Sequence, residues 1–260
     1  MLTEAEAKKQ NLPGSHVFIR TQLAYKNEID RDALIVHLNG EAYKAFIDTI
    51  SIGQFPLLKK ENDIVLKTGH FGTSASTIMR KVECFYLDNL KIAAAFELHL
   101  KACLLAHDIV IHLINNKVSS FNAAPFKALR KKQDQEPVMK HELLAIEGFY
   151  YNGEHNILRG LTSQSLSFEK ILNEPYRSML GKSEDFLNIV EDYRNLRNQI
   201  HLPGDIVEAP HLAKYTGYSL IEVLERFINE EIVVYNNHLI AKWNLHTANN
   251  LAPLNLSKVI

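Results

Sequence analysis

The chain has 260 residues, 46% of them hydrophobic and 23% charged, with a formal net charge of −1. That composition is globular and long enough to bury a sizeable core as one large domain or two small ones, so disorder is not the default reading. With no global basic field, contact with nucleic acid requires a local patch.

Residues 1–70 form an N-terminal region of unclear type, with turn signals at Pro13-Gly14 and a mixed stretch from Val17 to Tyr25. The charged segment Met1 to Gln10 lacks the apolar run of an export signal, which gives the expectation of a cytoplasmic protein. After Asp30, the residues Leu34, Leu38, Ala42, Ala45 and Phe46 recur at helical spacing and predict a helix to about Ser51, despite Gly40. Gly53 to Gly72 reads as a connection.

Between Thr73 and Asn116 there is no Pro or Gly, and the pattern is strongly apolar. A continuous helix there would run roughly 65 Å, long for a compact domain, so a kink or break near Asp88-Asn89 is expected. Further helices are predicted over Phe126 to Lys132, Val138 to Gly148 and Ser167 to Leu172. Another opens at Ser183-Glu184-Asp185, keeps its period through Phe186, Ile189, Val190, Tyr193, Leu196 and Ile200, and stops at Leu202-Pro203-Gly204. The last runs from about Ser219 to Trp243. No strand alternation competes. The expectation is a predominantly all-α protein, with a helical bundle over residues 71–246, a less regular N-terminal region, and a tail over 247–260.

Apolar runs such as Ile92 to Phe96 and Ala102 to Ala106 fall far short of the ~20 residues of a membrane span, so no membrane helix is expected. Cys84 and Cys103 lie in apolar helical patterns and read as small core residues in a reducing compartment. His107 and His112, five apart and about 140° around a helix, cannot share a metal. His99, His141, His155 and His211 show no ligand spacing. No phosphate loop, nucleophile elbow, His-Glu-x-x-His or Cys-x-x-Cys occurs, and neither metal nor cofactor is expected.

The most suggestive segment is Arg194-Asn195-Leu196-Arg197-Asn198-Gln199-Ile200-His201. At 100° per residue, Arg194 and His201 return to nearly one angle, and Arg197 and Asn198 fall within about 40° to 60° of them. These four groups make one polar stripe beside the docking face of Tyr193, Leu196 and Ile200. His201 would sit in the last turn, where the helix dipole favours imidazolium and brings it nearer physiological pH. A histidine titrating there beside a permanent guanidinium suits metal-independent RNA cleavage. The imidazole would handle the proton of the 2′-hydroxyl or of the leaving 5′-oxygen, and the arginine would stabilise the phosphorane. The structural alternative is that Arg and His near a helix end answer the dipole, with Arg194 or Arg197 paired to Glu191 or Asp192 of the same helix or with a neighbour.

Two segments together resemble the HEPN superfamily (higher eukaryotes and prokaryotes nucleotide-binding). Ala94 to His107, with Glu97 and Lys101 and followed by His112-Leu113, is similar to its early Glu-x-x-x-Lys helix; Arg194 to His201 is similar to its Arg-x(4–6)-His signature. Arg194 has the required spacing to His201, while Arg197-Asn198 resembles the Arg-polar pair often seen there, so either arginine can carry the role. The resemblance spans roughly Ser76 to Trp243. It implies a homodimer or pseudo-dimer in which two motifs meet to cleave RNA without a metal, of a kind found in toxin–antitoxin and phage-defence systems and restrained by an antitoxin or regulatory protein. Other members are silent binding modules. Glu97 and Lys101, four apart, also suit a plain intrahelical ion pair. Lys127, Arg130, Lys131 and Lys132, with Lys140, form the densest basic stretch, a second expected RNA contact in which Phe126 could stack on a base; the bland reading is a solvated helix face.

Overall fold

The computed structural model describes residues 28–51, 75–115, 123–146, 161–199, 225–245 and 250–254. These are predominantly helical, and none of their helices is long and apolar enough to cross a membrane. In chain order they form α1 (Glu28–Ser51), α2 (Ala75–Ala106), β1 (His112–Ile114), α3 (Ala123–Gln135), α4 (Lys140–Leu144), β2 (Leu161–Ser165), α5 (Phe168–Leu172), α6 (Tyr176–Met179), α7 (Glu184–Gln199), a π-helical segment (Phe227–Val234) and α8 (Tyr235–Trp243). The connection Gly53 to Gly72 and the stop at Leu202-Pro203-Gly204 lie outside the described residues.

The break expected near Asp88-Asn89 does not occur: α2 is continuous for 32 residues, roughly 48 Å at 1.5 Å per residue. Asp and Asn inside a helix each cost less than about 0.7 kcal/mol, too little to interrupt an Ala- and Leu-rich run. What ends α2 is Asp108, left-handed at φ 59°. Its N–H donates to the Leu105 carbonyl (2.9 Å) and the Ile109 N–H to Leu104 (3.1 Å), a Schellman stop in which Asp replaces the usual glycine. Asn244, at φ 50°, ends α8 in the same way, with Leu245 N–H donating to Ile240 (2.9 Å).

The chain divides into two compact units, Met1–His37 with Leu100–Lys182, and Leu38–His99 with Ser183–Ile260. In the first, β1 and β2 pair antiparallel, His112 opposite Ser165 and Ile114 opposite Leu161, with an irregularity between. β1 stands where the helical pattern is expected to run on to Asn116, within a fold that remains predominantly helical. Ile109-Val110-Ile111 is β-branched and follows a helix stop, and its apolar run reads equally as buried helix until that stop is recognised. Val110, Ile114, Phe126, Val138, Leu143, Ile146 and Leu161 form the core beneath the sheet. The Gln133 side chain, fully buried in α3, completes the other edge of β1: it accepts from the Ile114 N–H (3.0 Å) and donates to the carbonyls of His112 (2.7 Å) and Val110 (3.3 Å). His112 thus stands on a strand, and its Nδ1 donates to the Thr162 carbonyl at 3.1 Å.

In the second unit, α1, α2, α7 and the π-helical segment meet in an aromatic core. Phe96 is its centre, with ring centroids 5.6 Å from Phe46, 5.8 Å from Phe186, 5.4 Å from Tyr193 and 5.2 Å from Phe227. Phe186 stacks on Phe227 at 4.8 Å. His99, buried, meets Phe227 edge-on at 5.0 Å and bonds Asn39 Oδ1 through Nδ1 at 3.0 Å.

Candidate functional site

Packing of Phe96 against Tyr193 decides what lies beside it. Glu97 follows Phe96 on α2, and Arg197 stands one turn beyond Tyr193 on α7, so the aromatic contact carries the carboxylate and the guanidinium together. Arg197 Nη1 donates to Glu97 Oε2 at 2.5 Å, joining the two segments that carry the resemblance. The Arg197 side chain keeps 40% of its surface exposed and Glu97 17%, so the guanidinium still faces solvent while its partner is largely withdrawn.

Arg194 lies deeper, its side chain 16% exposed. Its Nη2 donates to Asn195 Oδ1 at 2.9 Å and stands 3.8 Å from Glu191 Oε1. Asn198 is exposed. His201, the acid/base candidate, lies outside the described residues, as do His155 and His211. Lys101, nearly buried in the first unit, donates from Nζ to Ser165 Oγ at 2.8 Å and ties α2 to β2. His107 is exposed in the turn after α2, so the helical angle expected between it and His112 does not apply. Among the described residues no three His, Cys, Asp or Glu side chains group as a metal site.

The basic stretch lies on α3, where Lys127 and Lys131 are exposed. Arg130 pairs with Asp134 (3.2 Å), while Lys132 pairs with Glu142 (2.5 Å) and Glu136 (3.8 Å). The hydrogen bond to Glu142 raises the Lys132 pKa. Phe126 is buried in the core, which corrects its expected use as a base-stacking ring. Beside α3 an open cleft of about 550 Å³ is lined by Arg130, Asp134, Gln164, Ser165, Ser167 and Lys170. Sequence reading missed Lys170: it is 40 residues from Arg130 in the chain, and only the fold sets it on the other side of Asp134 (3.6 Å). Its Nζ also donates to the Gln133 carbonyl at 2.5 Å, beside the Tyr176 hydroxyl on the same oxygen at 3.2 Å. Burial lowers the Lys170 pKa and raises that of Tyr176. Lys170 thereby caps the C-terminal end of α3, while Arg130 and Asp134 pair with side chains.

Fold and site together define a predominantly helical protein with an arginine–carboxylate pair joining two of its helices. No family model, no curated protein and no solved structure matches the chain.

Proposed function

We propose that this chain is a metal-independent endoribonuclease of HEPN type, cleaving RNA by attack of the 2′-hydroxyl, with His201 as acid/base and an arginine of α7 stabilising the phosphate. The observation that carries the reading is the Glu97–Arg197 pair, which joins the two motif-bearing helices and leaves Arg197 partly in solvent. A guanidinium held at one edge by a carboxylate retains further N–H donors for phosphate oxygens, and its orientation is set before substrate arrives. Arg194 keeps the spacing to His201, and Asn198 lies exposed on the same helix to orient phosphate or histidine. The active species would be a homodimer that pairs two such stripes, with RNA as substrate and an antitoxin or regulatory protein as its restraint.

A second reading has its own support: both arginines already meet carboxylates of this chain, Arg197 with Glu97 and Arg194 with Glu191. On that reading the helix is a silent module for dimerisation or for binding a partner protein or nucleotide. Incubating purified protein with mixed RNA in excess EDTA separates the two. Cleavage leaving 2′,3′-cyclic phosphate ends and lost in a folded His201→Ala variant supports the nuclease. Intact RNA at every protein concentration sinks it, and cleavage unchanged in His201→Ala and Arg194→Ala places the chemistry elsewhere.

A further inference from the structure

The open cleft beside α3 lies wholly within the first unit, where three stretches distant in sequence converge: Arg130 and Asp134 on α3, Ser165 at the end of β2, and Ser167 and Lys170 at α5. Its charges do not balance. Asp134 is the one carboxylate among the residues lining it, and it serves two cations, Arg130 at 3.2 Å and Lys170 at 3.6 Å. Arg130 also donates to Gln133 Oε1 (3.2 Å) and Lys170 to the Gln133 carbonyl, contacts that leave further N–H groups on both side chains among the described residues. A third cation, Lys101, stands behind Ser165.

The two serine hydroxyls are set as donors. Lys101 Nζ donates to Ser165 Oγ at 2.8 Å, and the Lys170 N–H donates to Ser167 Oγ at 3.2 Å. Each oxygen is thus engaged as an acceptor, and its own proton remains to be given. Lys170 feels the imbalance: burial first, and then the Arg130 charge, hold its pKa down against the pull of Asp134. An anion in the cleft relieves that strain on the ammonium, and a cation adds to it.

Donors arriving from three elements suit a tetrahedral oxyanion, whose oxygens accept in several directions, better than a flat carboxylate. The cleft, at about 550 Å³, lies within the ~300–1,000 Å³ of small-ligand sites and exceeds what a lone phosphate fills. Asp134, its side chain 53% exposed, is the acceptor left for the rest of such a ligand. We propose that this cleft binds a small phosphorylated polyol, a sugar phosphate or nucleoside monophosphate, with Arg130, Lys170 and the two serine hydroxyls as donors to the phosphoryl group and Asp134 as acceptor for a ligand hydroxyl. The assignment does not rest on the nuclease reading, since no residue of the α7 stripe takes part.

The test is isothermal titration calorimetry of the full chain at low salt with three probes: ribose 5-phosphate, inorganic phosphate, and a short 2′-O-methyl oligoribonucleotide without a terminal phosphate. Ribose 5-phosphate should bind more tightly than inorganic phosphate, and Arg130→Gln should weaken it by about tenfold or more. Lys127→Gln/Lys131→Gln, at exposed positions of the same helix, should change it far less. Asp134→Asn should act in the opposite sense on inorganic phosphate, tightening it severalfold by removing the competing carboxylate, and it serves where Arg130→Gln does not fold. No binding of either phosphate compound overturns the proposal, as does an affinity that neither Arg130→Gln nor Asp134→Asn moves. Equal affinity for the ester and the bare ion would strike the polyol from the assignment and overturn it as stated. Oligonucleotide binding that depends on Arg130 and exceeds that of ribose 5-phosphate would give the cleft to the RNA backbone and overturn the small-ligand reading.

Discussion

Arg197 Nη1 meets Glu97 Oε2 at 2.5 Å although the two residues are 100 positions apart in the chain. Nothing local brings them together: the contact exists because Phe96 and Tyr193, their neighbours on α2 and α7, share an aromatic core. Removing the carboxylate leaves a guanidinium that is 40% exposed and can hydrate, whereas removing the guanidinium takes an ion-pair partner from a carboxylate that is only 17% exposed. In urea titrations Arg197→Ala is expected to destabilise by about 1–2 kcal/mol and Glu97→Ala by less than about 1 kcal/mol. A double-mutant cycle with no coupling would show that the pair is an ornament of the surface. If the nuclease reading holds, Glu97→Gln should lower cleavage more than it lowers stability.

The aromatic core makes a larger prediction. Phe96 is almost fully buried and in ring contact with four others, so Phe96→Ala should cost about 3–5 kcal/mol, measured by thermal or chemical unfolding. A loss below 1 kcal/mol would mean that the cluster does not hold the second unit.

Gln133 offers a polar counterpart. Its side chain is fully buried and serves three backbone groups of the β1 segment, so Gln133→Leu keeps the volume but strands Ile114 N–H and two carbonyls. We expect a loss of about 2–4 kcal/mol, and hydrogen exchange at Ile114 should accelerate more than at the core of α2. Uniform acceleration at both places would contradict the assignment of Gln133 to the sheet edge.

Glu142 gives a pH dependence with a definite sign. Burial pushes its carboxyl up, but the Lys132 ammonium, the Met139 N–H (2.9 Å) and the nearby His141 outweigh it, and the net pKa is lowered. A carboxylate with a depressed folded pKa contributes stability above its unfolded value of about 4.3 and loses it as pH falls through the lower, folded value. The wild type should therefore weaken below about pH 4.3, and Glu142→Gln should flatten that limb while lowering stability at neutral pH. Parallel acid limbs in the two proteins would rule out this pair as the cause.

Gly181 follows the short helix α6 at φ +65°, a conformation that costs a side-chain-bearing residue about 1 kcal/mol. A Cβ there meets nothing within 4 Å, so Gly181→Ala should be destabilising by about that amount through the backbone alone. A neutral result would show that the turn relaxes.

The helical character and most helix starts were legible because they are local. Ser183 beginning α7 and Ser167 beginning α5 accept backbone N–H bonds as their positions require, from Phe186 (3.3 Å) and Lys170 (3.2 Å). The apolar period over Leu34 to Phe46 and over Phe186 to Tyr193 marks the faces that are buried, because one face of a helix is fixed by 3.6-residue geometry alone. That Arg194, Arg197 and Asn198 share one helix followed from the same geometry, as did a carboxylate near Arg194, with Glu191 at 3.8 Å.

Tertiary structure decided the rest, for reasons that lie outside any local window. The stop after α2 depends on Asp108 taking a left-handed backbone that sequence usually reserves for glycine, and β1 is a strand because β2, some 50 residues on, and Gln133 satisfy its two edges. Glu97 pairing with Arg197, Lys170 meeting Arg130 across Asp134, and Asn229 and Asn237 gripping the segment 250–254 are likewise long-range choices. Periodicity fixes which side of a helix is apolar; which polar groups then meet is set by how those apolar sides pack.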